Sequence, residues 1–123
     1  MTRKILDSTR IHIAIASEIG GNADFRHTVD EVEKAIDAHA IVIVGMNHNP
    51  FPKKARALLD AEGTTYHYME YGNYFSEWKR RGALKMWAGW QTFPMIFVKG
   101  QLIGGFSHLK NLVHNGELRK LLG

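Results

Sequence analysis

Apolar positions recur along this chain with two different periods, and the switches between them mark out its elements. Ile11-His12-Ile13-Ala14-Ile15 alternates residue by residue, which predicts a strand near the N-terminus. Ile19-Gly20-Gly21-Asn22 predicts a turn. Val29, Val32 and Ile36 then fall at helical spacing, and Thr28 with Glu31 three residues on reads as a capping box that opens the helix. Ala40 to Val44 is apolar throughout, the pattern of a strand buried on both faces. After a polar turn, Pro52 starts a helix that is apolar at Ala55, Leu58 and Leu59 and is stopped by Gly63.

Tyr66-His67-Tyr68-Met69 predicts the next strand, and Ser76 to Trp87 a basic amphipathic helix broken by Gly89. Met95 to Val98 and Gln101 to Ile103 flank Lys99-Gly100 as a hairpin. Ser107 caps a helix carrying Leu109, Leu112 and Val113, and a last turn runs from Glu117 to Leu122. Strand, helix, strand, helix, hairpin, helix is the order of an α/β layered domain with a mixed sheet.

Composition narrows the picture. The 123 residues are enough for one domain with one core. Sixteen Lys and Arg against twelve Asp and Glu leave a net charge of +4, which suits an anionic small ligand or an acidic partner. The basic residues form no long run, so nucleic acid is not the expected partner. No apolar stretch approaches the roughly 18 residues of a membrane span, and Met1 to Arg10 is too polar for a secretory leader. No membrane partner and a cytoplasmic location are therefore expected. The chain holds no cysteine, which removes disulfides, thiolate nucleophiles and thiolate ligands at once. His48 lies between Asn47 and Asn49 and reads as polar surface. His12, His27, His39, His67, His108 and His114 show no metal-ligand spacing, so no metal is expected.

Three segments carry a resemblance. The turn Asn49-Pro50-Phe51-Pro52, followed by Lys53-Lys54-Ala55, stands at a helix start. The segment from Arg81-Gly82-Ala83-Leu84-Lys85 through Trp90-Gln91-Thr92-Phe93-Pro94 precedes the hairpin. Gly104-Gly105-Phe106-Ser107 follows it. With these, residues 29 to 122 resemble a glutaredoxin of the thioredoxin-fold superfamily, with the closer likeness to the monothiol branch. The resemblance implies a mixed four-stranded sheet flanked by helices, over a domain of residues 29–123. Residues 1–28 form an N-terminal extension that adds a strand or helix.

The same resemblance implies where chemistry would lie and what is gone from it. The two family cysteine positions are Asn49 and Pro52. An amide at Asn49 is not ionised at neutral pH and forms no disulfide, so thiol–disulfide turnover and an iron–sulfur cluster are not expected. Asn49 reads as a helix cap or a hydrogen-bonding ligand contact. The peptide-binding half is kept. The residue before a cis-proline pairs with glutathione like an added strand, which assigns Phe93 and Pro94. Gly104, Gly105, Phe106 and Ser107 offer helix-start amides to a carboxylate. Arg81 supplies a guanidinium, and Phe51 flanks the turn. The family's upstream lysine aligns with Met46 and its acidic residue falls near Ser107 or His108, so neither of those two charges is available to a ligand.

Three functions stay open at this level. The first is a module that binds glutathione, or a peptide-like anionic ligand, without redox turnover. The second is a protein interaction module or homodimer, with a vestigial groove, that docks through the aromatic and basic segment Tyr71 to Arg81, where Tyr71, Tyr74 and Trp78 are spaced to share one side, or through the N-terminal strand. The third is a weak glutathione-dependent transferase in which Asn49 or Asn47 orients the tripeptide's thiol.

Overall fold

A computed structural model describes residues 22–72 and 77–123. The elements are α1 (Asn22–Ala38), β1 (Ile41–Gly45), α2 (Pro50–Ala61), β2 (His67–Glu70), α3 (Trp78–Ala88), β3 (Met95–Val98), β4 (Gln101–Gly104), α4 (Phe106–His114) and α5 (Glu117–Leu122). The predicted strand at Ile11 to Ile15, together with Tyr74 and Ser76, lies outside the described residues.

The strands form one mixed sheet in the order β2-β1-β3-β4, with β1 parallel to β2 and antiparallel to β3. Successive side chains of a strand point to opposite faces, and β1 divides its residues accordingly. Val42 and Val44 join Val32, Leu84, Trp87 and Phe97 in a core under α1 and α3. Ile41 and Ile43 join Ala55, Leu59, Ile96, Ile103 and Leu109 in a core under α2, α4 and α5. Every residue of β1 is buried, which explains its uninterrupted apolar run. Helices cover both faces, so the mixed sheet flanked by helices that the sequence predicts is the observed architecture.

Local signals place most boundaries. Gly63, at φ 66°, follows α2 and completes a Schellman motif: Gly63 N–H donates to the Asp60 carbonyl and Thr64 N–H to that of Leu59. Lys99 and Gly100 both take positive φ, as a two-residue hairpin turn demands. Gly45 ends β1 where helix and strand meet closely: a Cβ there would lie 2.8 Å from Pro52 Cβ and 2.9 Å from the Tyr68 ring.

Two predicted caps are corrected. Thr28 does not open a helix, because α1 begins six residues earlier. Its side chain is buried, and its hydroxyl accepts a 2.8 Å hydrogen bond from Arg80 Nε of α3. Glu31 pairs with Nη2 of the same arginine. The apparent capping box is a tertiary clasp between α1 and α3. The boundary placed between residues 28 and 29 therefore falls inside one helix. At the other end Ser107 lies within α4, and Gly105 is the capping residue.

Candidate functional site

The turn after β1 is built to present α2. His48 takes the left-handed region at φ 62°, and its N–H donates to Asn47 Oδ1 at 2.9 Å. Asn49 returns to extended backbone and caps α2, its Oδ1 accepting the Phe51 N–H at 3.0 Å. Pro50, not Pro52, is the first helical residue, and Pro52 is the third. Neither position has an intrahelical acceptor for an N–H, so the two prolines cost the helix no hydrogen bond.

The second segment is the loop before β3. Its Phe93–Pro94 peptide is cis, and the Phe93 side chain is buried in the α1/α3 core. The Phe93 carbonyl accepts a 3.1 Å hydrogen bond from Asn49 Nδ2. Asn49 thus uses both ends of its amide, the oxygen on its own helix and the nitrogen on the loop.

The third segment is the start of α4. Gly104 sits at φ 121°, and a Cβ there would lie 2.6 Å from His108 Nδ1, so neither backbone nor space admits a side chain. Gly105 N–H donates to His108 Nδ1 at 3.2 Å, half of a capping box built around a glycine. A Cβ at Gly105 would lie 3.6 Å from the Pro94 carbonyl oxygen and 4.0 Å from the Trp90 ring, and Trp90 meets His108 edge-on at 5.4 Å. The Phe106 ring lies 6.2 Å from that of Phe51, which is nearly half exposed.

Asn49–Phe51, Phe93–Pro94 and Gly104–Ser107 therefore lie beside one another. Phe106 and Ser107 occupy the first turn of α4, where backbone N–H groups lack intrahelical acceptors, and Ser107 is exposed. Lys54 Nζ stands 5.0 Å over the Phe51 ring, which puts positive charge beside the convergence.

Arg81 takes a different place from the one expected. It is only 7% exposed, and its Nη1 donates to the Tyr71 carbonyl at 3.0 Å. There it braces the stretch after β2, whose Tyr71 N–H bonds to the Gly45 carbonyl and whose Gly72 carbonyl accepts from Asn47 N–H. Tyr71 and Trp78 do not share one surface: Tyr71 is buried and Trp78 is 63% exposed. Burial, then the Glu31 carboxylate, pushes the Tyr71 hydroxyl up to about 12.

Sequence reasoning missed His108, although its spacing from Gly105 repeats that of a capping box. It also missed a hollow of about 440 Å³ beyond the cap, lined in part by Asn47, His48, Lys53, Arg56, Tyr68 and Glu70. Among the described residues no three His, Asp or Glu side chains gather as a metal site. No helix among them is long and apolar enough to cross a membrane.

Residues 41–103 match the Glutaredoxin family model. A "Glutaredoxin-like protein" of Dictyostelium discoideum is 40% identical over 90 residues, 73% of each chain. Monothiol glutaredoxin-4 of Schizosaccharomyces pombe is 31% identical over 72 residues, 58% of this chain and 28% of that one. A crystal structure of a buckwheat glutaredoxin–glutathione complex superimposes with a TM-score of 0.69 at 20% identity, covering 80% of this chain and 90% of the other. At that identity the likeness concerns the fold, the thioredoxin-like sheet flanked by helices.

Proposed function

The chain belongs to the glutaredoxin family, and on that footing we propose that it binds glutathione, or a peptide-like anionic ligand, without thiol–disulfide turnover. The observation that carries the reading is the meeting of the Phe93–Pro94 loop with the start of α4 against a helix cap that holds an amide. The Phe93 backbone pairs with the ligand as an added strand would. The free amides of Phe106 and Ser107 receive a carboxylate, favoured by the helix dipole. Phe51 and Phe106 wall the ligand's apolar portion, and the excess of basic side chains favours its negative charge.

Thiol–disulfide exchange through a protein thiol is closed to this chain, which holds no cysteine. Asn49 offers neither a thiolate nor an ionisable proton, so the protein cannot form a mixed disulfide with the ligand there. The donor set does not fit an iron–sulfur cluster either, because both ends of the Asn49 amide are engaged and the chain supplies no thiolate. Arg81, held at the Tyr71 carbonyl, is given no direct ligand contact.

One observation favours a second reading. Trp78 is 63% exposed at a helix start with Lys79 Nζ 5.7 Å over its ring, an exposed aromatic–cationic pair of the kind common at protein interfaces. Ser107→Glu separates the two. A carboxylate in the first turn supports the helix yet repels an anionic ligand. Loss of retention on immobilised glutathione, with an unchanged melting temperature, supports ligand binding at α4. Retention equal to that of the native chain overturns it.

A further inference from the structure

We infer that Asn49 is a latch: its side-chain amide stands at the Phe93 carbonyl in place of the backbone N–H that a strand-like ligand would donate, and must swing away before such a ligand pairs fully. The inference rests on the proposed reading that a peptide-like ligand pairs with Phe93.

An N-cap needs only an acceptor. Asn49 Oδ1 fills that role on Phe51 N–H at 3.0 Å, as the shorter side chain of serine or threonine would. The nitrogen end is what distinguishes asparagine. It crosses from α2 to a carbonyl 44 residues away in sequence and bonds to it at 3.1 Å. Backbone groups of added strands pair at this same distance. An occupied carbonyl keeps a second lone pair, but a donor arriving there shares the acceptor and both bonds bend from their best geometry. The contact also ties the wall formed by Asn49–Phe51 to the wall formed by Phe93–Pro94, so the gap between them is bridged where ligand backbone would lie.

His108 repeats the pattern across the site. It accepts the Gly105 N–H at 3.2 Å, so a second backbone group at the convergence is satisfied from within the chain. Phe106 and Ser107 amides and the Phe93 N–H then form the docking surface, and the Phe93 carbonyl is the gated group. Strand-like ligands gain their full set of backbone bonds only after the latch opens.

Asn49→Ser keeps a cap acceptor and removes the amide nitrogen. Calorimetry with S-methylglutathione, whose blocked sulfur prevents oxidation, compares it with the native chain. One net hydrogen bond corresponds to a tightening of about three- to tenfold in the variant. In the native protein the Asn49 Nδ2 proton resonances should shift as the ligand saturates. Asn49→Thr serves in the same way should the serine variant not fold.

Tightening in the variant, or binding by the variant alone, supports the latch. Equal dissociation constants within twofold, or Asn49 side-chain resonances that stay fixed while Phe93 N–H shifts, overturn the latch and leave ligand binding standing. Absence of binding by every form overturns both.

Discussion

Arg80 on α3 donates from Nε to the buried hydroxyl of Thr28 on α1, 52 residues earlier, while its Nη2 holds Glu31. Its Nη1 holds Glu77 at 3.0 Å, and its guanidinium lies over the Tyr71 ring. One side chain thus joins α1, α3 and the stretch after β2 that braces the site turn.

Arg80→Met should therefore loosen α1 rather than merely remove a surface charge. The hydrogen bond to buried Thr28 contributes most, because ion pairs that stay partly open to solvent contribute little. A loss of about 1–3 kcal/mol in urea unfolding is expected. Amide exchange should accelerate through α1 before α2.

Asn49→Ala removes the cap of α2 and its tie to Phe93 together. Stability should fall by about 1–2 kcal/mol, with Asn49→Ser recovering most of it, since serine caps nearly as well. Paired chemical denaturation curves check this ordering.

Gly104→Ala should be among the most damaging substitutions of a single methyl group. Alanine meets both a φ of 121° and His108 Nδ1 at 2.6 Å. The backbone strain alone is about 1–3 kcal/mol. A lowered melting temperature is expected, and Gly104→Ala combined with His108→Ala should recover only the part due to the clash.

Asn49→Cys places a thiol where Phe51 N–H and the dipole of α2 favour its anion. Its pKa should fall below the ordinary value of about 8.5. The pH dependence of alkylation by iodoacetamide gives that pKa directly. A value at or above the ordinary one would show that the helix start no longer suits a thiolate.

Glu33 carries the pH dependence with the clearest sign. Burial raises its carboxyl above the ordinary value, and the Asp30 and Asp37 charges raise it further. A folded-state pKa above the unfolded one means that ionisation opposes folding. Stability from this group is fully present below the unfolded pKa and is lost as pH rises through the folded value. Glu33→Gln should raise the melting temperature at pH 7, and the gain should vanish below the usual glutamate pKa of about 4.3.

The fold was legible in the sequence wherever one local rule had no competitor. The apolar run of β1 could be satisfied only by burial on both faces, and Gly63 and Gly100 stand where left-handed backbone is required. The site segments came from the family resemblance that Phe93-Pro94 and Gly104-Gly105 carry, since by residue type alone they read equally as a turn and a close packing of backbone. What stayed hidden depended on distant partners. Thr28 and Glu31 satisfy the capping-box spacing, yet Arg80 claims both. Arg81 has the composition of a surface cation, yet the Tyr71 carbonyl holds it inside. Pro50 and Pro52 both suit a helix start, and only the cap geometry of Asn49 fixes which comes first. No short-range pattern shows that the nitrogen of Asn49 reaches Phe93.

Whether the convergence of the three segments takes a ligand is decided by titrating ¹⁵N-labelled protein with reduced glutathione. Saturable shifts confined to Asn49, Phe51, Phe93 and Gly104 to Ser107 are expected, with the tripeptide's thiol unconsumed. Spectra that stay unchanged at millimolar glutathione would contradict glutathione binding at this site.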